Sequence, residues 1–91
     1  MKVICDAAKD AINKEKHGVS LTEAVFIDWD DALIWQDMRR EYGEIRMIAL
    51  APIGERLYCV VYVDHENNRR IISLRKANNR EKRHYAKVLN D

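Results

Sequence analysis

The sequence predicts an α+β domain: two N-terminal helices, an antiparallel β-meander of about four strands, and a C-terminal helix. Three observations point to it. Apolar residues at helical spacing are confined to the two ends of the chain, and between them the period shortens to that of strands. The connections between the strand segments are too short for parallel crossovers, which need about a dozen residues or more. Finally, 91 residues with one proline, three glycines and 47% hydrophobic side chains suit one core, so a single domain spanning 1–91 is expected.

The first helix is delimited by its ends. Asp6 is a good N-cap, Ala8, Ala11 and Ile12 form an apolar stripe, and Gly18 stops the helix in a left-handed turn, which leaves Lys16 and His17 in the last turn. Ser20-Leu21-Thr22-Glu23 matches a capping box opening a second, shorter helix, with Leu21, Ala24 and Val25 facing inward. The turn-prone acids of Asp28-Trp29-Asp30-Asp31 end it. Strands are then expected over 32–36, 44–50, 56–63 and 69–76, separated by Gly43, by Pro52 and Gly54, and by Asp64 to Asn68. Asn78 with Glu81 three positions on announces the last helix, whose apolar stripe is Tyr85, Val88 and Leu89. Arg80, Arg83, His84 and Lys87 fall on a different side of it.

The formal net charge is only +1 and does not by itself announce a nucleic-acid binder, but the charge is polarised. Residues 1–38 carry four lysines and eight acids, whereas residues 39–91 carry twelve Lys or Arg and seven acids. The stretch from Arg69 to Lys87 holds eight basic residues against Glu81 alone, and is the candidate anion-binding region. The N-terminal MKVICDAAKDAINKEK lacks an unbroken apolar run of about seven residues or more, so a secretory signal or membrane span is not expected, and a cytoplasmic location is. Cys5 and Cys59 lack the spacing of a zinc or redox motif, and His17, His65 and His84 lack metal-ligand spacing. Neither metal nor cofactor is expected. Ser20 and Ser73 lie on no strand-turn-helix elbow, which disfavours serine-nucleophile chemistry.

Alternation along 44–47 sets Glu44 and Arg46 on one sheet face, and the same parity groups Arg69, Ile71, Ser73 and Arg75 against Arg70, Ile72, Leu74 and Lys76. Such surfaces read either as the solvated edges of a small sheet or as a basic cleft for a phosphodiester backbone, to which arginine donates paired hydrogen bonds. Trp29, Trp35, Tyr42, Tyr58, Tyr62 and Tyr85 are candidate stacking faces for unpaired bases, or core. RNA cleavage needs only a base for the 2′-hydroxyl, a cation at phosphorus and an acid for the 5′-oxygen. His17 and Glu44 are candidate acids or bases, Arg46, Arg75 and Arg80 candidate charge stabilisers, and Lys16 or Lys76 candidates for either role.

Lys16-His17-Gly18-Val19-Ser20 followed by Glu23-Ala24, then Gly43-Glu44 with Arg46, Val60-Val61-Tyr62, Arg70-Ile71-Ile72-Ser73 with Arg75-Lys76-Ala77, Arg80-Glu81 and Tyr85 resemble, in this order, the BrnT family of bacterial toxins. The resemblance covers nearly the whole chain. It implies a small RelE-like fold on a curved antiparallel sheet, and a metal-independent endoribonuclease of a type II toxin-antitoxin pair that arrests translation. The implied partner is a BrnA-type ribbon-helix-helix antitoxin that dimerises, so that a heterotetramer forms, and that binds the operon's promoter DNA. Carried over, the family's polar motif falls on Lys16, His17, Glu44, Arg46, Arg70, Ser73, Arg75, Lys76, Arg80 and Tyr85; Arg83 and Lys87 extend the expected RNA-binding surface. The chain departs from the family's aromatic-rich opening at Val3-Ile4-Cys5-Asp6, where Cys5 replaces a tryptophan, and at Asn78-Asn79, where Thr-Arg is common. A function of a different class is a non-catalytic module whose basic surface binds an acidic partner or RNA; analysis of RNA products separates the two.

Overall fold

The computed structural model describes residues 1–90. The elements are β1 (Lys2–Ile4), α1 (Ala7–His17), 3-10 helices over Leu21–Phe26 and Trp29–Asp31, β2 (Leu33–Gln36), β3 (Met47–Ile53), β4 (Arg56–His65), β5 (Asn68–Lys76) and α2 (Asn79–Leu89). The strands form one sheet in the order β1-β5-β4-β3-β2. Strands β2 to β5 are the expected antiparallel meander. A fifth strand, β1, pairs parallel to β5 with Lys2 opposite Asn68; its three residues are too few to display a period, which is why the pattern of apolar residues does not reveal it.

The sheet has a core on each face. On one side Ala49, Ala51, Val60, Tyr62, Ile71 and Leu74 pack against Leu21, Ala24 and Ile27 of the first 3-10 helix and its flank. On the other, Ile48, Leu50 and Cys59 pack against Ala77 at the start of α2 and against Tyr85 on it. Strand β3 is therefore buried on both faces over Ile48–Ala51, which explains its run of apolar residues without polar alternation.

The second N-terminal helix is 3-10 rather than α. Ser20 accepts from the Thr22 amide at 3.2 Å and its hydroxyl donates to Asp10 Oδ1 at 3.0 Å, so the expected reciprocal box with Glu23 does not form. Val25 faces solvent at 60% exposure instead of inward. Asp10 acts as a long-range cap, accepting the Leu21 amide at 2.7 Å, and these hydrogen bonds depress its carboxyl below the ordinary value.

Helix α1 starts and stops as expected, with Asp6 accepting from Lys9 N and Gly18 left-handed at φ 71. Its packing is not as expected. Ala8, Ala11 and Ile12 are exposed, and the one buried side chain of α1 is polar, Asn13. Asn13 Nδ2 donates to the Leu74 and Val19 carbonyls, each at 2.8 Å, and its Oδ1 accepts the Leu74 amide at 3.2 Å. Strand β1 covers the outer edge of β5 only along Asn68–Arg70. Beyond that, the Asn13 carboxamide takes the place of a strand, satisfying both backbone groups of Leu74.

Two local differences rearrange the functional residues. Strand β3 begins at Met47 and runs through Pro52 to Ile53, so Glu44 and Arg46 lie on the β2–β3 loop and the alternation read over 44–47 does not apply. In β5, Val61 opposes Ser73 while Tyr62 opposes Ile71, which makes Ile72 a bulge residue. The bulge inverts the parity on one side of it. Arg69, Ile71, Leu74 and Lys76 share the 3-10 face, and Arg70, Ser73 and Arg75 share the α2 face.

Candidate active site

The α2 face carries a groove built from three adjoining cavities of about 260, 330 and 360 Å³. Lys16, His17, Arg46 and Ile72 line the first, and Ser73 joins it to the second. Arg39, Arg75 and Cys59 line the second, which shares Trp35 and Glu81 with the third. Arg80 and His84, one turn apart on α2, complete the third. Glu81 is the one acid among the residues lining all three, and it is neutralised: Arg75 donates Nη1 and Nη2 to its two oxygens at 2.8 and 2.9 Å.

Glu81 has a second duty. Its Oε1 accepts the Asn78 amide at 2.9 Å while Asn78 Oδ1 accepts the Glu81 amide at 2.8 Å, the capping box expected of this sequence. The Arg75 fork holds the carboxyl of Glu81 below the ordinary range. Partial burial lowers the pKa of His17, helped by the positive charges of Lys16 and Arg75, so the imidazole is neutral at pH 7 with Arg75 near enough to be felt. Burial pushes the Cys59 thiol up to about 11, which makes it a protonated wall of the groove rather than a nucleophile.

The β2–β3 loop delivers two more arginines. Asp37, 4% exposed, accepts from Arg39 Nε and Nη2 at 2.8 Å each, from the Arg39 amide at 3.1 Å and from the Tyr42 hydroxyl at 3.0 Å. These donors hold its carboxyl well below the usual carboxylate range. The Asp37 amide donates to the Arg46 carbonyl at 2.8 Å, closing the loop. Arg46 stacks on the Tyr42 ring at 4.2 Å. Its Nε is buried without a hydrogen-bond acceptor; Glu44 Oε1 stands 3.8 Å away. Glu44 is drawn instead to Arg70, which donates to both its oxygens at 3.0 and 3.2 Å.

The groove thus assembles Lys16, His17, Arg46, Ser73, Arg75 and Arg80, with the Glu44–Arg70 pair beside Arg46. Other expected residues are not brought there. Lys76 opposes Tyr58, which packs in the 3-10 side core, so strand alternation puts it on the face opposite Arg75. The Tyr85 hydroxyl is taken by the Asp31 carbonyl at 2.6 Å and its ring packs beneath α2. Arg83 and Lys87 are exposed on the same side of α2 as Arg80 and His84, but neither lines the three cavities. Tyr62 and Trp29 belong to the core on the opposite face, where they meet edge to face and Arg69 stacks on both rings at 4.3 Å.

Arg39 is the residue that sequence reasoning missed. Arg39 and Arg40 lie in a segment without periodicity, and the one available signal was Asp37 two residues ahead, a carboxylate placed to fork a guanidinium.

A small α+β domain with an arginine-lined groove across one sheet face, a neutral histidine at one end and no acid left unpaired among the groove residues defines the class of protein: one built to hold a polyanion. Comparison with known proteins makes this specific. Residues 6–81 match the family of the ribonuclease toxin BrnT of type II toxin-antitoxin systems, and the chain belongs to that family. The fold is shared with the crystal structure of the Brucella abortus ribonuclease toxin, BrnT, which is 23% identical and superimposes with a TM-score of 0.67 over 86% of this chain and 97% of that one. No curated protein matches the sequence. A toxin of such a pair has an antitoxin partner, and a ribonuclease has RNA as its substrate. No helix among the described residues is long and apolar enough to cross a membrane.

Proposed function

We propose that this member of the family is a cytoplasmic, metal-independent endoribonuclease that arrests translation by cleaving RNA within the α2-face groove. The observation that carries the proposal is the convergence of His17, Arg46, Ser73 and Arg75 around one junction of that groove. The neutral His17 removes the proton of the 2′-hydroxyl, and Arg46 and Arg75 balance the charge that develops on the phosphoryl oxygens. Arg80 holds the adjoining phosphate, and Lys16, at the mouth of the same cavity, protonates the leaving 5′-oxygen. The Tyr42 ring orients Arg46, and Arg70 holds Glu44 beside it. The inhibitor in this reading is a ribbon-helix-helix antitoxin of the BrnA type that dimerises, binds the promoter DNA and carries two toxins in a heterotetramer.

The test is product analysis. Purified protein incubated with RNA in EDTA yields fragments ending in 2′,3′-cyclic phosphate, and Arg75→Ala lowers the rate about a hundredfold or more, the usual cost of removing one charge-stabilising donor. RNA left intact at high enzyme concentration overturns the reading.

A further inference from the structure

Trp35 has no part in the chemistry above, yet it occupies the middle of the groove. It stands on β2, the free edge of the sheet, and opposes Ile48, so its ring is on the α2 face. It is 39% exposed. It lines both the cavity that holds Arg39 and Arg75 and the one that holds Arg80 and His84. Arg39 leaves 69% of its side chain exposed while Asp37 orients its guanidinium. Arg80 makes no ion pair among the described residues.

The geometry points to Trp35 as the stacking platform of a nucleobase subsite in single-stranded RNA, with the phosphates on either side of that base held by Arg39 and Arg75 on one flank and by Arg80 on the other. This rests on the ribonuclease reading of the same groove. An aromatic face between cations is how single-stranded nucleic acid is gripped without strong sequence preference, because every base has a π-face and every linkage a charge. A core role does not account for the ring: the neighbouring Leu33 of β2 packs against the core, whereas Trp35 projects past it over the cavities. A duplex buries its bases and cannot use such a platform, so the subsite selects unpaired RNA.

A short single-stranded 2′-O-methyl oligonucleotide, which binds without offering a nucleophile, separates this inference from the cleavage reading. Trp35→Leu is expected to weaken its binding by about five- to a hundredfold, the span of stacked aromatics. Trp35→Tyr is expected to restore most of the affinity. Removing the base at successive positions should reveal one position at which wild type falls to the level of Trp35→Leu and the variant loses nothing more. A matching duplex should bind no better to wild type than to Trp35→Leu. Equal oligonucleotide affinity in wild type, Trp35→Leu and Trp35→Tyr overturns the subsite even if RNA is cleaved. Loss of antitoxin affinity without loss of oligonucleotide affinity assigns the ring to the protein partner and overturns it as well. Should Trp35→Leu fail to fold, the abasic series on wild type decides alone: no sensitive position overturns the inference. Stacking without cleavage leaves the subsite standing and removes the nuclease reading.

Discussion

His17 ends α1 with Lys16 beside it, and partial burial, helped by the charges of Lys16 and Arg75, lowers its pKa below the ordinary 6.5. The neutral form is therefore the one present at pH 7, and protonation as the pH falls removes the base. The expected kcat/KM profile falls on the acid side with a midpoint below 6.5, and His17→Gln abolishes that limb. Because a bound phosphate favours the imidazolium, the limb in kcat should lie at higher pH than the limb in kcat/KM. A histidine that only caps the helix would give neither result. At this scale the sequence was informative about identity and poor about pairing. Lys16 and His17 were placed correctly by the left-handed Gly18 that ends their helix, and Arg80 by its capping box. The grouping of Arg70 with Ser73 and Arg75 was hidden, because a bulge inserts one residue without altering composition or apolar content.

Among the elements, α1 is held in an unusual way. Its apolar residues face water, and its anchor is the Asn13 carboxamide bonded to both backbone groups of Leu74. Asn13→Ala leaves those groups and the Val19 carbonyl unpaired, at a cost of about 2–4 kcal/mol. The loss should appear as a lowered urea midpoint. Since α1 carries His17, cleavage should suffer beyond what the loss of stability explains, whereas an exposed change such as Ala8→Ser on the same helix should leave both near wild type. The periodicity of α1 misled because Ala8, Ala11 and Ile12 satisfy a helical pattern whether or not anything packs on them; propensity and pattern specify a helix, and only the tertiary partner specifies which face is covered. The β2–β3 loop failed for a related reason. Its fold depends on one buried carboxylate, Asp37, and such a node leaves no period in the sequence to read.

Across the whole molecule, near-neutrality conceals a division between an acidic first part and a basic second part, and the fold concentrates cations from both on the α2 face. Lys16 and Arg39 come from far apart in the chain to join Arg75 and Arg80. With about three to four phosphates engaged, the logarithm of single-strand affinity should fall against the logarithm of salt concentration with a slope of about −2 to −3. A titration series in potassium chloride measures it. A slope near zero would mean that the groove does not hold the backbone. The overall architecture was legible because meander connections, helix caps and strand periods are local properties. The parallel β1 was not, being defined only by what it lies beside.

Glu81 joins two equilibria that are usually separate. The same Oε1 that receives Arg75 at 2.8 Å also receives the Asn78 amide at 2.9 Å, so the ion pair in the groove and the nucleation of α2 draw on one atom. A phosphate that captures the Arg75 fork returns that oxygen wholly to the helix start, and by thermodynamic reciprocity whatever secures the helix start makes Arg75 easier to capture. In the proposed reading, helix α2 and a phosphate held by Arg75 act as cooperative ligands of a shared charge, so that a secondary-structure end rather than a moving lid tightens the groove.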